Sequence, residues 1–200
     1  YGAKGGIVVD EWGLMRTSKQ SGTEGVEAGG TRVDEWGVRW RDVGGIGWYV
    51  DGSLKNPDDV TSFEPPDPYK PGRMRYVESM VKMVDGRMAV MGSLPGEKNP
   101  YLMRGLEAFT ADLYLRPGVA RRLVDMVTRY NVGLCRQMAE LGVDGVVVGG
   151  DLAERHGPLF KPQLYAEFFA PCLRAIVEEG HRRGILVVKH SDGNLYPILE

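Results

Sequence analysis

Polar side chains that could do chemistry follow two short apolar runs late in the chain. Asp151 comes directly after residues 143–150, and His190 and Asp192 come just after residues 185–188. An imidazole two residues before a carboxylate can supply a nitrogen and an oxygen to one zinc ion, or hold one substrate from two sides. We therefore predict that all three residues are catalytic, and that His190 and Asp192 are candidate metal ligands.

Four neighbouring residues are candidates for contact with a substrate: Gly150, Arg155, Gly193 and Asn194. The two glycines would let a ligand approach the backbone closely, and the guanidinium could grip a carboxylate or phosphate with two hydrogen bonds. Simpler explanations stay open for three residues. Asp151 could have a structural role only. Asp192 could cap a helix that begins near Leu195, and Arg155 could be a solvated loop charge.

The surrounding elements alternate between strands and helices. Apolar runs at residues 88–91, 143–150 and 185–188 predict parallel strands, and three- and four-residue spacing predicts helices at residues 73–84, 102–115, 117–141 and 162–183, the last kinked or broken at Pro171. This order indicates an α/β fold with right-handed crossovers. Reactive groups in such folds gather beyond the carboxyl ends of the strands, where the candidate residues fall. Periodicity alone leaves a barrel and an open sheet equally possible.

The first 72 residues have a different texture, rich in glycine and proline. The pentapeptide Val9-Asp10-Glu11-Trp12-Gly13 returns as Val33-Asp34-Glu35-Trp36-Gly37, which predicts two similar turns or hairpins. Five prolines between residues 57 and 71 predict an irregular surface connection.

Composition excludes several classes of protein. The chain has 200 residues, 25 basic and 27 acidic, for a net charge of −2, so we expect no nucleic-acid partner. No apolar run reaches the roughly 18 residues of a membrane span, and we expect no membrane partner. The two cysteines, Cys135 and Cys172, are too few for a disulfide framework, and a reduced cytoplasmic location is expected. The phosphate-loop, dinucleotide-binding, His-Glu-x-x-His and Cys-x-x-Cys motifs are absent.

A series of short segments follows in a fixed order: Gly105-Leu106-Glu107, Asp112-Leu113, Arg116-Pro117, Leu141-Gly142-Val143-Asp144-Gly145-Val146, Gly150-Asp151-Leu152-Ala153, Lys161-Pro162 through Phe168 to Pro171, and His190-Ser191-Asp192-Gly193-Asn194. This series resembles the uroporphyrinogen decarboxylase (URO-D) superfamily. The resemblance implies a (β/α)8 TIM barrel, which needs about 250 residues or more. We therefore expect a fragment that lacks the closing strands, with residues 73–200 as a partial barrel and residues 1–72 as an irregular amino-terminal segment of the same domain.

The resemblance implies one of two activities. One is methyl transfer between a corrinoid protein and a thiol such as coenzyme M, with zinc activating the thiol. The other is cofactor-free decarboxylation of the acetate side chains of uroporphyrinogen. The decarboxylase's arginine-rich amino-terminal signature has no counterpart here, and the methyltransferases commonly carry a His-x-Cys zinc pair where this chain has His190 and Asp192.

We expect the methyltransferase-like branch. Under that hypothesis His190 and Asp192 hold zinc, Asp151 orients the acceptor or a metal-ligand histidine, and a partner protein carries the corrinoid. Two alternatives stay open: a decarboxylase that acts on a tetrapyrrole substrate, and a catalytically empty barrel that binds a tetrapyrrole or a partner protein. A homodimer is a further possibility.

Overall fold

The structure is a computed structural model that describes residues 6–10, 30–44 and 46–199; of residues 6–10 it describes the backbone. In chain order the elements are β1 (Gly6–Asp10), β2 (Thr31–Val33), β3 (Arg39–Val43), β4 (Ile46–Asp51), α1 (Asp59–Ser62), α2 (Arg75–Val84), β5 (Ala89–Leu94), α3 (Asn99–Arg104), α4 (Leu106–Leu115), α5 (Pro117–Glu140), β6 (Gly145–Val148), β7 (Ala153–Glu154), β8 (Gly157–Pro158), α6 (Pro162–Leu164), α7 (Ala170–Arg182) and β9 (Leu186–Lys189). A π-helical segment, Tyr165–Phe169, joins α6 to α7.

A parallel sheet organises the chain, with the strand order β1-β5-β6-β9. Helices α5 and α7 pack together on one face, where Val146 and Val148 are completely buried. The opposite face is open at β9, where Leu186 is 66% and Val188 47% exposed. The predicted α/β architecture with a parallel sheet is confirmed. Over the described residues the sheet has four strands and does not close into a barrel.

Two of the predicted helices are interrupted, one unexpectedly and one as predicted. The predicted helix over residues 102–115 is two helices, because Gly105 adopts φ +84°, which a helix cannot include. The second of them begins with Leu106, whose side chain is 46% exposed. The break predicted near Pro171 is confirmed as the π-helical segment just before it.

The core lies between the sheet and α5. Four apolar residues of that helix, at the predicted three- and four-residue spacing, are completely buried: Leu123, Val127, Leu134 and Met138. Because these residues are buried, α5 stays packed against β5 and β6. The helix therefore fixes the position of the carboxyl ends of these two strands. Among the described helices, none combines the length and apolar character that crossing a membrane requires.

The two pentapeptide copies occupy different structures. In the second copy, Asp34 Oδ1 accepts hydrogen bonds from the N–H groups of Trp36 and Val38, and Gly37 adopts φ +75°, so a turn forms as predicted. The first copy was predicted to form a similar turn, but its Val9 and Asp10 end β1, which pairs with β5. The other residues of that copy, 11–13, lie outside the described residues. The segment predicted to be irregular thus supplies one strand of the main sheet and the antiparallel sheet β2-β3-β4.

An ion pair with a buried arginine anchors the second pentapeptide. Arg73, whose side chain is 0% exposed, donates to both carboxylate oxygens of Glu35 at 2.8 and 2.7 Å. The Tyr130 hydroxyl donates to the same carboxylate at 2.7 Å. These contacts join the amino-terminal turn to the middle of α5.

Candidate functional site

The carboxyl ends of β6 and β9 bring the three predicted catalytic residues together. Val148 pairs with Lys189 in the sheet register, so Asp151 follows one strand where His190 and Asp192 follow its neighbour. Each of the three side chains is exposed and offers one ligand atom, and these atoms all lie within 4.8 Å of one another. The catalytic and metal-binding roles of the three residues stay predictions, which this proximity supports.

Hydrogen bonds hold the two loops beside each other. The N–H of Asp192 donates to Asp151 Oδ1 at 2.9 Å, and the N–H of Leu152 donates to Ser191 Oγ at 2.9 Å. The first of these bonds holds the side chain of Asp151 against the backbone of Asp192, so two of the predicted catalytic residues are in direct contact. The relative placement of the candidate ligands is therefore built into the loop conformation.

The donor set has the chemistry of a divalent cation site. One imidazole nitrogen and two carboxylate oxygens match the nitrogen and oxygen ligands that zinc accepts, and catalytic zinc typically has three protein ligands and one open position. Two ionised carboxylates carry two negative charges, which a divalent cation balances. The exposure of His190 leaves the site accessible to a substrate.

A largely buried ion pair that was not predicted from the sequence lies directly behind this cluster. Lys189 Nζ donates to Glu97 Oε2 at 2.9 Å and to the carbonyl oxygens of Gly149 and Gly150, each at 2.7 Å. Glu97 is 1% exposed, and its Oε1 has no hydrogen-bond partner among the described residues. Burial raises the pKa of the Glu97 carboxyl, and the positive charge of Lys189 opposes that rise.

A tyrosine also donates a hydrogen bond at the strand ends. Tyr101 of α3 donates its hydroxyl hydrogen to the carbonyl oxygen of Asp151 at 3.3 Å. Burial raises the pKa of Tyr101, and the negative charges of Asp151 and Glu97 raise it further. The phenol therefore keeps its proton and remains a donor at neutral pH. In the sequence, Glu97 and Lys189 could have been found from their positions at the ends of predicted strands. Nothing in the sequence pointed to Tyr101.

The structure gives the predicted substrate-binding glycines close contacts with the protein's own backbone. A Cβ on Gly193 would lie 2.6 Å from the carbonyl carbon and oxygen of Ala153, and one on Gly150 would lie 3.2 Å from the backbone nitrogen of Glu97. Both glycines have positive φ, +90° and +92°. Glycine is required at both positions by this packing, and their contact with a substrate stays a prediction.

The other two predicted substrate-binding residues lie at the edge of the cluster. Asn194 Oδ1 accepts a hydrogen bond from the N–H of Tyr196 at 3.2 Å, in the turn that leads into the short 3-10 helix Tyr196–Ile198. The N-cap residue of that helix is Leu195, and no side chain caps it, so the capping role considered for Asp192 is not observed. Arg155 lies in the exposed turn between β7 and β8, where its guanidinium makes no ion pair with the other described residues. Substrate contact stays a prediction for both.

The two cysteines are core residues. Cys135 and Cys172 are 0% and 2% exposed, and neither forms a disulfide. Burial raises the pKa of Cys135 to about 11 and that of Cys172 to about 12. Neither thiol is a nucleophile near neutral pH.

Comparisons with known proteins agree on the fold. Residues 33–200 match the family model described as uroporphyrinogen decarboxylase (URO-D). Among solved structures, a methyltransferase from Methanosarcina mazei is similar, with a TM-score of 0.67 and 17% sequence identity over 82% of this chain and 49% of that protein. The chain thus spans about half the length of that structure, and at this identity the likeness concerns the fold. No curated protein matches the chain.

Proposed function

The chain belongs to the uroporphyrinogen decarboxylase family, and from that premise we propose that it transfers a methyl group between a corrinoid protein and an acceptor thiol. The proposed metal centre consists of Asp151, His190 and Asp192. The observation that carries this proposal is the approach of their three ligand atoms to within 4.8 Å of one another at the carboxyl ends of two parallel strands. The shared fold with a methyltransferase favours this branch of the family.

The three residues of the proposed metal centre would bind the metal through different ligand atoms. His190 would bind the metal through a neutral imidazole nitrogen, and the two aspartates would bind through carboxylate oxygens. Asp151 also accepts the N–H of Asp192, so the two carboxylates are placed together before any metal binds. Zinc bound at this site would supply Lewis acidity that lowers the pKa of an acceptor thiol.

The oxygen-rich donor set is the distinctive feature of the proposed site. Family methyltransferases commonly have a cysteine where this chain has Asp192, as the sequence resemblance implies. A carboxylate is a harder ligand than a thiolate, and neither Cys135 nor Cys172 is accessible to replace it. We infer that the acceptor thiol would be the soft ligand of the metal, because no protein thiolate from the described residues competes with it.

Zinc binding and methyl transfer test the proposal together. The purified chain is dialysed against zinc, the bound metal is counted, and transfer from methylcobalamin to coenzyme M is followed by the cobalamin spectrum. We expect one zinc per chain in the wild type and its loss, with loss of transfer, in His190→Ala. His181→Ala is the matched control, because His181 is an exposed histidine at the end of α7, away from the strand ends.

Other outcomes would replace the proposal with a different function. Zinc binding that is the same in His190→Ala and His181→Ala would remove the metal centre. Products with fewer carboxylates after incubation with uroporphyrinogen would show a decarboxylase. Tight binding of a corrinoid or porphyrin without turnover would show a binding barrel.

A further inference from the structure

The ammonium group of Lys189 joins three adjacent strand ends behind the candidate metal centre. A lysine ammonium has three N–H donors, and here they reach Glu97 after β5 and the carbonyls of Gly149 and Gly150 after β6. Lys189 itself is the last residue of β9, with a side chain only 18% exposed. One largely buried cation therefore binds the ends of three parallel strands.

The partner of this lysine is anchored to the helical scaffold. Asn131, a completely buried residue of α5, accepts the N–H of Gly96 at 3.0 Å and donates to the carbonyl of Gly96 at 3.1 Å. These bonds hold the residue immediately before Glu97. The carboxylate of Glu97 is thus a fixed acceptor, unlike that of a surface ion pair, whose side chains remain mobile.

The position of Lys189 links this anchor to the candidate ligands. Successive side chains of a strand point to opposite faces, so an anchored Lys189 directs the next residue, His190, to the other side. The two carbonyls that accept from Lys189 belong to the residues just before Asp151. Holding both carbonyls sets the direction in which the chain leaves β6.

We propose that Lys189, held by Glu97, is a positioning residue that sets the separation of Asp151 from His190. The proposal rests on the proposed metal centre, because its consequence is a metal affinity. Residues that orient metal ligands typically change affinity by about 10–100-fold when mutated. An ion pair that only stabilised the fold would leave the affinity of the folded chain unchanged.

Zinc affinity of the full chain, measured by competition with a chromophoric chelator, separates these two roles. We expect zinc to bind about 10–100-fold more weakly to Lys189→Met than to the wild type. Arg104→Met is the matched control, since Arg104 is 6% exposed and forms an ion pair with Asp112 that is buried at least as deeply, away from the candidate ligands. Its zinc affinity should stay within about twofold of the wild type, as expected for a pair outside the centre.

Hydrogen exchange provides a second readout that needs no metal. The N–H of Leu152 donates across the two loops to Ser191, so it reports their relative position. In Lys189→Met we expect this amide to exchange at least about tenfold faster relative to that of Val146 in the core of β6. No faster exchange of Leu152 relative to Val146 is expected in Arg104→Met, because a loss of global stability accelerates an amide in the core of β6 at least as much as one in a loop.

Each result decides the inference. An unchanged exchange ratio, or an unchanged zinc affinity, in Lys189→Met would overturn it. If the wild type binds no zinc, the proposed metal centre fails, and the exchange ratio alone then decides whether Lys189 positions the loops.

A second pair of variants serves if Lys189→Met does not fold. Glu97→Gln removes the charge that holds Lys189 while nearly keeping the side chain's shape, and Glu179→Gln makes the same change in another glutamate, 2% exposed and paired with Arg136. Weaker zinc binding in Glu97→Gln alone supports the inference. Equal binding in the two variants refutes it.

Discussion

Replacing Gly193 with alanine should displace the loop that carries His190 and Asp192. Gly193 adopts φ +90°, and an added Cβ would lie 2.6 Å from the carbonyl of Ala153 and 2.7 Å from the carbonyl oxygen of Glu154. Those neighbours are backbone atoms of β7 and cannot move aside as a side chain could. The loop after β9 must therefore shift away from the loop after β6.

Replacing Gly193 has two free-energy costs, one for the left-handed backbone and one for the steric conflict. A second glycine, near the other end of β9, allows the two to be measured separately. Gly184 also has a positive φ, +73°, but no described atom lies within 4 Å of the position of its Cβ. Gly184→Ala should cost only the left-handed backbone term, about 1–2 kcal/mol. Gly193→Ala should add about 1–3 kcal/mol for the steric conflict.

Urea unfolding followed by circular dichroism measures both free energies of unfolding, and a zinc titration of each folded variant measures the effect on the candidate site. We expect Gly193→Ala to be the less stable variant and to bind zinc more weakly, while Gly184→Ala keeps wild-type affinity. Equal stabilities and equal zinc affinities for the two variants would refute the packing argument.

Two further predictions concern the scaffold. Glu35→Gln should destabilise the fold by about 1–3 kcal/mol because it weakens the charge-assisted hydrogen bonds to the buried Arg73. Glu78→Gln, in the exposed pair with Lys82, should cost under about 0.5 kcal/mol, and equal losses in urea unfolding would contradict this. Cys135 and Cys172 should resist alkylation at pH 8 until the chain unfolds. Because burial raises their pKa from the ordinary 9.0 to about 11 and about 12, their contribution to stability is full below pH 9 and is lost as the pH rises toward 12. Unfolding at pH 8 and pH 10 checks the sign, and a Cys135→Ala, Cys172→Ala double variant should lose less stability over that interval.

The candidate ligands could be predicted from the sequence because their signal is local. His190 and Asp151 each follow an apolar run, and parallel strands place such positions at one edge of a sheet. The long helix α5 was equally visible, since its apolar stripe repeats over six turns or so. These features depend on residues close together in the chain.

The features that were missed depend on residues far apart or on backbone angles. Glu97 and Lys189 are separated by 92 positions, and their contact arises only from the register of β5, β6 and β9. Gly105 divides a helix through its φ angle, although good helix-forming residues surround it. In the sequence, β1 is only a short apolar run among glycines. It is recognised as a strand because it pairs with β5.

The central claim is that Asp151, His190 and Asp192 bind one divalent metal ion together. X-ray absorption of the chain loaded with one equivalent of zinc tests it most directly. The predicted spectrum shows imidazole nitrogen and carboxylate oxygen at about 2.0–2.2 Å, and the imidazole signal disappears in His190→Ala. A spectrum dominated by sulfur at about 2.3 Å, or one that His190→Ala leaves unchanged, would contradict the account.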